Sequence, residues 1–293
     1  MLYKAHKITN RLITSFMTQQ PDWSASAVEY EKHFSVTTGL FAHDALVLSA
    51  ISPDTSPKLL DVACGTGALS IPAARRGFQV FATDLSPGMI NILNAKAIQE
   101  GLSIETKVMD GQSLPDITDD SFDAVSSIFG IFLFPNRAQG WKSAHRVLKP
   151  GGIFIAAVWD ESAPMITTIK AIAKASGQDP STFVDNPIIN NVSLKKENMI
   201  KELTDAGFKD IKVEVTRHEF VYSAGRVPMK FMLENPVLKE ICPKVQGGLP
   251  AAQRILLEQL SGEKCETDMI EDSALVKEPL HYTATANIFV CRK

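Results

Sequence analysis

The sequence predicts an α/β fold with a doubly wound, mostly parallel sheet. Between residues 58 and 160, short apolar runs alternate with segments of helical periodicity. Strands that alternate with helices form βαβ units, and right-handed crossovers then cover both faces of a parallel sheet. Two late β-rich stretches separated by a long excursion predict an antiparallel pair at one edge of this sheet.

The elements of the core follow a regular order. Residues 24–50 carry apolar side chains at helical spacing and predict one or two N-terminal cap helices, with a break at Thr37-Thr38-Gly39. The hydrophobic period then changes, and the predicted strands are 59–62, 79–83, 104–109, 122–128 and 152–159. The predicted helices between them are 68–76, 86–100 and 137–148.

The pattern loosens beyond residue 160. Helices are predicted at 166–175 and 193–206, and β-rich stretches at 211–222 and 281–291. Gly207 is a favourable residue just after a helix C-terminus. Segments 161–200 and 224–276 are predicted to be lid-like insertions, the second of mixed helical character. Such a lid would lie over the carboxyl ends of the strands, where open α/β sheets bind ligands.

Length and composition indicate an ordinary globular protein. The chain has 293 residues, 45% apolar and 22% charged, and its net charge is −3 from 30 basic and 33 acidic residues. Binding to nucleic-acid phosphates needs a basic excess, so nucleic acid is not an expected partner. No apolar run approaches about 18 residues, so no membrane span is predicted. We expect an N-terminal extension, 1–22, and one domain, 23–293, with its core at 58–160.

Cysteine spacing and the first residues bear on the compartment. The four cysteines form no C-x-x-C pair and no dense framework, so neither a zinc site nor a secreted disulfide scaffold is indicated. A reducing compartment, the cytoplasm, is therefore expected. Residues 1–21 contain Lys4, Lys7 and Arg11 but no acid, which is also typical of a weak mitochondrial presequence.

The sharpest motif is LLDVACGTGALS at 59–70, where a predicted strand leads through a glycine turn into a helix. Gly65 and Gly67 allow the backbone to approach a ligand with no Cβ in the way. The helix N-terminus that follows offers free N–H groups. A turn that merely needs glycine would look the same, so the neighbouring strands decide the interpretation.

Acidic residues lie at three neighbouring strands. Asp84 ends the second strand, where a carboxylate can accept hydrogen bonds from ribose hydroxyls, and Ser86 is available to cap the next helix. Asp110 follows the third strand, where a carboxylate can accept the exocyclic amine of an adenine. Asp61 precedes the glycine turn and suits a cofactor with an ammonium group. These acids fit S-adenosylmethionine better than a dinucleotide with a pyrophosphate.

With these residues the chain resembles the class I S-adenosylmethionine-dependent methyltransferases. The likeness covers roughly 58–160 and rests on LLDVACGTG (59–67), Asp84, Met109-Asp110-Gly111, SFDAVSSI (121–128) and RVLKPGGIF (146–154). It implies a seven-stranded sheet with one antiparallel edge strand, and S-adenosyl-L-methionine as cofactor with S-adenosyl-L-homocysteine as product. The cofactor-binding residues predicted on this basis are Tyr30, Asp61, Ala63 (in place of the usual first glycine), Gly65, Gly67, Asp84, Leu85, Met89, Asp110, Gly111 and Ile128.

A fainter likeness, carried by 38–42, 129–136 and 157–159, is to small natural-product methyltransferases, including enzymes that methylate thiols in secondary metabolism. It favours a small, fairly apolar acceptor with a sulfur, oxygen or nitrogen nucleophile. Because ligand pockets are commonly apolar, the predicted acceptor residues are Phe129, Phe132, Trp159 and Met165, with Phe134 beside them. Phe41 is expected to close over the cofactor with Tyr30, and the predicted lid contacts are Met229, Phe231 and Met232.

The need for a general base depends on the acceptor. Methyl transfer from a sulfonium is an in-line displacement, and the protein chiefly holds the nucleophile and the methyl group in line in a dry site. A thiol, with a pKa of about 8.5, needs little help, whereas an alcohol needs a base within hydrogen-bond reach. The candidate bases are His33, His43 and Asp160, although Asp160 is equally suited to cap the helix that follows.

Two other functions fit parts of the sequence. Gly65, Gly67 and Ser70 approach the G-x-G-x-x-G spacing of an NAD(P)-dependent oxidoreductase, but Ser70, Asp61 and Asp110 count against it. A methyltransferase fold can also serve as a non-catalytic binding protein. The run Ser-Ile-Phe-Gly at 127–130 lacks the Asn-Pro-Pro-aromatic signature of enzymes that methylate base amines. We expect a small-molecule substrate, no nucleic acid, no membrane, no metal, and a monomer or homodimer.

Overall fold

The computed structural model describes residues 23–177, 195–222, 225–227, 232–233, 238, 241–261, 268–270, 273–276 and 279–293. Its N-terminal cap contains a 3₁₀ turn (Ser24–Ser26), α1 (Ala27–His33) and α2 (Ser35–Leu48), and a second 3₁₀ turn follows at Pro53–Thr55. The alternating core contains β1 (Lys58–Val62), α3 (Ser70–Arg75), β2 (Gln79–Asp84), α4 (Pro87–Gln99), β3 (Ile104–Val108), β4 (Phe122–Ile128), a 3₁₀ turn (Ile131–Leu133), α5 (Arg137–Val147) and β5 (Leu148–Trp159).

The C-terminal part mixes both element types. It contains α6 (Pro164–Ala175), α7 (Lys196–Asp205), β6 (Lys209–Tyr222), β7 (Gly225–Val227), a 3₁₀ turn (Cys242–Lys244), α8 (Gly248–Ser261), β8 (Asp268–Ile270), β9 (Ser273–Val276) and β10 (Leu280–Arg292). Gly207, just after α7, has a φ of 103°, as expected for a residue that ends a helix. None of the described helices is long and apolar enough to cross a membrane.

One seven-stranded sheet carries the fold, in the order β3-β2-β1-β4-β5-β10-β6. Parallel pairs join β1 to β2 and β4, β2 to β3, and β4 to β5. β10 is antiparallel to both β5 and β6, so the reversed strand lies one place inside the edge rather than at the edge itself. The predicted doubly wound, mostly parallel sheet is confirmed. Its strand order reverses between β1 and β4, where open α/β sheets form a ligand crevice.

Strand composition follows position in the sheet. Leu59, Leu60 and Val62 of the central strand β1 are fully buried, as expected where helices cover both faces. β3 forms one edge, has no buried residue, and carries Glu105 and Lys107. Charged side chains on an edge strand oppose pairing with another chain.

The N-terminal cap breaks at a residue other than the predicted one. α2 runs unbroken through Thr37, Thr38 and Gly39, and the interruption between α1 and α2 lies at Phe34. Thr37 and Thr38 are buried, so packing outweighs their modest helix propensity. The Thr38 hydroxyl also donates back to the Phe34 carbonyl oxygen, 3.2 Å away.

The described part of 224–276 is less helical than predicted. It contains α8, which packs against α6 and β10, and also a three-stranded antiparallel sheet in the order β7-β9-β8. Strands of three and four residues are too short to show a period of two, so this small sheet was not predictable from the pattern.

Glu202 joins α7 to α5. Its carboxylate accepts two hydrogen bonds from Arg137, at 2.7 and 2.6 Å, and a third from the indole N–H of the fully buried Trp141, at 2.9 Å. The Arg137 side chain is only 15% exposed. A bidentate, partly buried pair of this kind is stronger than an ordinary surface ion pair.

We therefore expect Glu202→Ala to lower the free energy of unfolding by about 1–3 kcal/mol, because it strips the buried indole and guanidinium of their acceptor. Urea denaturation measures this change. The matched control is Lys201→Ala, which removes an exposed ion pair with Asp205 one residue away and should shift stability by no more than about 0.5 kcal/mol. Equal effects of the two substitutions would contradict this reading of Glu202.

Candidate active site

A cavity of about 400 Å³ lies at the carboxyl ends of the central strands, where the strand order reverses. This volume lies within the range of small-molecule sites. Most predicted cofactor residues line it: Tyr30, Asp61, Ala63, Gly65, Asp84, Leu85, Met89, Gly111 and Ile128. All four predicted acceptor residues also line it: Phe129, Phe132, Trp159 and Met165. Gly67 and Asp110 do not.

The two glycines of the turn have different functions. Gly65 has a φ of 54°, and a Cβ built there would meet no atom within 4 Å, so its backbone is open to a ligand. A Cβ on Gly67 would lie 2.4 Å from Leu93 Cδ1 of α4. The missing Cβ of Gly67 therefore makes room for helix packing, and the assignment of Gly67 to cofactor binding stays a prediction.

Asp84 is held at the end of β2 by backbone donors. Its Oδ2 accepts from the N–H of Gly65 at 2.9 Å, and its Oδ1 accepts from the N–H of Ser86 at 2.8 Å. Burial raises the pKa of this carboxyl, and these backbone donors oppose the rise. Ser86 caps α4 by accepting from the N–H of Met89, as predicted, so Asp84 has no capping duty. The carboxylate is thereby fixed against the glycine turn.

Asp61 lies at the base of the cavity with both carboxylate oxygens engaged. Oδ2 accepts from the Ser70 hydroxyl at 2.6 Å, and Oδ1 accepts from the Ser126 hydroxyl at 2.8 Å. The side chain is 1% exposed, and this burial raises its pKa from 3.8 to about 6 despite the two hydroxyl donors. Asp61 therefore fastens α3 and β4 to β1 in addition to lining the cavity.

Asp110 lies beside the cavity rather than in its wall. Its neighbours Met109 and Gly111 line the cavity, and a Cβ on Gly111 would lie 2.6 Å from the Phe134 ring. The Asp110 carboxylate accepts from the backbone N–H of Gln112 at 2.9 Å and from its side-chain amide at 3.3 Å. The assignment of Asp110 to the adenine amine of the cofactor stays a prediction. In this structure its carboxylate already accepts hydrogen bonds from Gln112.

The N-terminal cap covers the cavity with aromatic rings. Tyr30 packs edge-on against Trp23 and stacks with Phe34 at a centroid distance of 6.0 Å, and all three line the cavity. Burial raises the pKa of Tyr30 to about 12, so its hydroxyl is neutral at pH 7. The 3₁₀ turn anchors the cap on α4, because the Ser24 and Ser86 hydroxyls lie 2.9 Å apart.

A stacked aromatic pair forms another wall. The Phe129 and Trp159 rings lie 3.9 Å apart with 15° between their planes, and Phe41 packs edge-on against both. Phe41 is fully buried behind the pair and does not line the cavity, so the expectation that it closes over the cofactor is wrong. Phe129 has a φ of 56°, a strained conformation for a bulky residue that costs of order 1–3 kcal/mol.

None of the three candidate bases lines this cavity. His43 is 61% exposed, and its nearest acidic partner is Asp44. The Asp160 carboxylate accepts from the N–H and hydroxyl of Ser162, which organises the turn before α6. His33 lies 3.2 Å from Glu29 and borders a small void of about 30 Å³ that shares Phe34, Trp159, Met165 and Met232 with the cavity wall. The sequence marked them as titratable but could not show which way each side chain points.

Phe34, Thr66 and Ile169 line the cavity but were not predicted to do so. Phe34 is four residues after Tyr30, and Ile169 is four residues after Met165, so helical spacing on a predicted ligand face could have identified both. Met232 lines the cavity as expected, whereas Met229 and Phe231 lie outside the described residues. In the part of the chain that the structure describes, no group of three His, Cys, Asp or Glu residues could hold a metal ion.

Comparison with known proteins decides the family. The Methyltransferase domain family matches residues 60–156. The demethylmenaquinone methyltransferase of Chlorobaculum tepidum is 35% identical over 190 residues, covering 60% of this chain and 75% of that protein. The chain belongs to the class I S-adenosylmethionine-dependent methyltransferases. An uncharacterized protein of Mycobacterium tuberculosis is 34% identical over 114 residues, and the match spans 39% of this methyltransferase but only 41% of the relative's length.

Solved structures agree on the fold of this methyltransferase. A Bacillus halodurans protein solved as a candidate methyltransferase has a TM-score of 0.55 at 19% identity, covering 86% of this chain and 98% of the other. The YcgJ protein of Bacillus subtilis has a TM-score of 0.53 at 14% identity with the same coverage. Similarity at these identities supports the sheet and its flanking helices.

Asp84→Asn should raise the Kd of this methyltransferase for S-adenosylhomocysteine about tenfold to a hundredfold, because the amide loses the charge and one of the two acceptor oxygens. Calorimetric titration measures the constant. The control is Asp54→Asn, a carboxylate in an exposed 3₁₀ turn outside the cavity. Normal binding by Asp84→Asn would remove this residue from the cofactor site.

The raised pKa of Asp61 predicts a pH dependence of stability. Between about pH 4 and pH 6 the folded methyltransferase holds a proton on Asp61 that the unfolded chain releases, so this carboxyl lowers the free energy of unfolding as the pH rises. Asp61→Asn lacks that contribution. Relative to wild type, the variant should gain up to about 3 kcal/mol on going from pH 4 to pH 7. Urea denaturation across this range tests it, and parallel curves would contradict it.

Proposed function

We propose that this methyltransferase transfers a methyl group from S-adenosyl-L-methionine to a small, flat, uncharged aromatic molecule. The observation that carries the proposal is the stacked pair Phe129 and Trp159 in the cavity wall. Phe132, Met165 and Met232 extend that wall with apolar surface. Aromatic acceptors bind such surfaces by offset or edge-to-face ring packing.

The residues of the glycine turn fit the cofactor. The open Cβ position of Gly65 leaves space for close approach, and the Asp84 carboxylate lies beside it to accept hydroxyl donors. The buried Thr66 hydroxyl oxygen has no hydrogen-bond partner among the described residues, so a polar group of a ligand would satisfy it. When bound, S-adenosylmethionine supplies the electrophilic methyl group and the leaving group. The chain's own residues orient it, and the rings of Trp23, Tyr30 and Phe34 exclude water.

No histidine lies among the described lining residues of the cavity. Its titratable groups are Tyr30, Asp61, Cys64 and Asp84. Burial holds the pKa of the Cys64 thiol well above its usual value and that of Tyr30 near 12, so both are neutral at pH 7. Asp61 and Asp84 are engaged by donors within the protein. We therefore infer an acceptor that is nucleophilic without a base from this wall, which favours a thiol or an electron-rich ring and disfavours an aliphatic alcohol.

Among these acceptors we favour a reduced quinone ring, methylated at carbon. The relative in Chlorobaculum tepidum is a demethylmenaquinone methyltransferase, and one in Chromobacterium violaceum, 29% identical over 190 residues, is a ubiquinone/menaquinone biosynthesis C-methyltransferase. A hydroquinone ring is flat and uncharged when protonated, and its hydroxyls make the ring carbons electron-rich. In this transfer the new bond from the ring carbon to the methyl group would form as the S–C bond of the sulfonium breaks, and the proton on that ring carbon would pass to water. An aromatic thiol is the next choice, because its nucleophile also needs little help from a base.

The test presents wild-type protein and S-adenosylmethionine with four acceptors: a naphthalenediol kept reduced, an aryl thiol, an aliphatic alcohol and an aliphatic amine. Mass spectrometry then identifies any methylated product and the atom methylated. Carbon methylation of the diol supports the proposal, and S-methylation of the thiol supports the aromatic pocket with a different nucleophile. Turnover of the alcohol or amine alone would overturn the flat aromatic acceptor.

Trp159→Leu should raise the KM for an aromatic acceptor about tenfold, because it removes half of the stacked wall, while the Kd for S-adenosylhomocysteine changes little. Steady-state kinetics and calorimetry separate the two effects. Phe81→Leu is the control, since that ring packs against Phe122 away from the cavity. The opposite pattern, with cofactor affinity lost and KM unchanged, would place Trp159 at the cofactor.

A further inference from the structure

Lys96 of α4 has partners on two elements that both line the cavity. Its ammonium donates to the carbonyl oxygen of Thr66 in the glycine turn, 3.0 Å away. The same ammonium lies 2.9 Å from Oε1 of Glu31 in α1, the cap helix that carries Tyr30. Thr66 and Tyr30 line the cavity, whereas Lys96 itself does not. Lys96 thus connects the glycine turn to α1.

This connection differs from an ordinary surface ion pair. The side chains of Lys96 and Glu31 are 28% and 30% exposed, and the second oxygen of Glu31, Oε2, is buried with no hydrogen-bond partner among the described residues. Loss of the ammonium would leave a partly buried carboxylate without its counter-charge. It would also free the Thr66 peptide, whose side-chain hydroxyl is buried at the cavity without a partner.

The cap is anchored to α4 at two points. Near the start of α4, the hydroxyls of Ser24 and Ser86 lie 2.9 Å apart, and a Cβ on Gly88 would lie 2.8 Å from the Ser24 carbonyl oxygen. Near its end, Lys96 holds Glu31. Tyr30, next to Glu31, is close enough to Asp84 for that carboxylate to raise the tyrosine pKa further. Of these residues, Lys96 also contacts the glycine turn, through the Thr66 carbonyl oxygen.

We propose that Lys96 is a positioning residue for the cofactor. It fixes the Thr66 peptide, and with it the cavity-facing atoms of the glycine turn, and it holds α1 so that Tyr30 covers the region of Asp84. The inference rests on the cofactor site described above. It predicts that the Lys96 ammonium controls both the protection of α1 from hydrogen exchange and the affinity of the site for S-adenosylhomocysteine. Lys96 would act on both without touching cofactor or acceptor.

The experiment compares Lys96→Met, Lys96→Arg and Arg75→Gln with wild type. Calorimetry gives the Kd for S-adenosylhomocysteine, and hydrogen exchange gives the protection of residues 27–33 with and without it. Lys96→Met should weaken binding about tenfold or more, and the ligand should no longer protect α1. Lys96→Arg should keep most of the affinity, because a guanidinium retains the charge and several donors. Arg75→Gln breaks an exposed pair with Glu100 at the end of α4 and should change neither measurement.

Glu31→Gln keeps the contact between Lys96 and Thr66 but weakens the one to the cap, so it should lose protection of α1 with a smaller loss of affinity. If Lys96→Met does not fold, this variant decides the question. Unchanged affinity and protection in folded Lys96→Met, or otherwise in Glu31→Gln, would overturn the positioning function while leaving the cofactor site intact. If wild type itself does not bind S-adenosylhomocysteine, the cofactor site and this inference both fail.

Discussion

The carboxylate of Asp61 joins three elements at the reversal of strand order: β1, which carries it, α3 through Ser70, and β4 through Ser126. The glycine turn lies between Asp61 and Ser70, so this contact sets the span that the turn must cross. Once the turn is fixed, the N–H of Gly65 meets Asp84 at the end of β2. The geometry of the cofactor region therefore depends on a buried acid that the protein satisfies with its own hydroxyls. A buried charge without such partners would be far more costly.

Much of this framework was predictable, because it follows from local patterns. The alternation of apolar runs and helical periods predicted the sheet. The prediction that Ser86 rather than Asp84 caps α4 is confirmed. Local patterns failed where tertiary packing decides. Nothing near Gly67 in sequence shows that Leu93 packs against it, and the hydroxyl of Ser126 reaches Asp61 from 65 residues away. Thr37 and Thr38 are weak helix formers that stay helical because they are buried.

The site shows the same division. Strand ends identify the acids and the aromatic wall, because the carboxyl ends of parallel strands meet at one edge of the sheet. The sequence does not show which way a side chain points, and the side chains of the candidate bases do not line the cavity. His43 points to solvent, and Asp160 serves a turn. The sequence left open whether a base is used, and none of the three candidate bases lines the cavity.

The charge of the cavity has a consequence for turnover. Asp61 and Asp84 are the acidic side chains among its described lining residues, and that lining includes no Lys, Arg or His. A sulfonium donor carries a positive charge at its sulfur, whereas the thioether left after transfer is neutral there. An acidic surround of low dielectric attracts the charged form more strongly than the neutral one. Electrostatics alone therefore favours replacement of the thioether product by the sulfonium cofactor. Product inhibition by the thioether should be weaker than in a cavity whose acidic side chains are neutralised by basic ones.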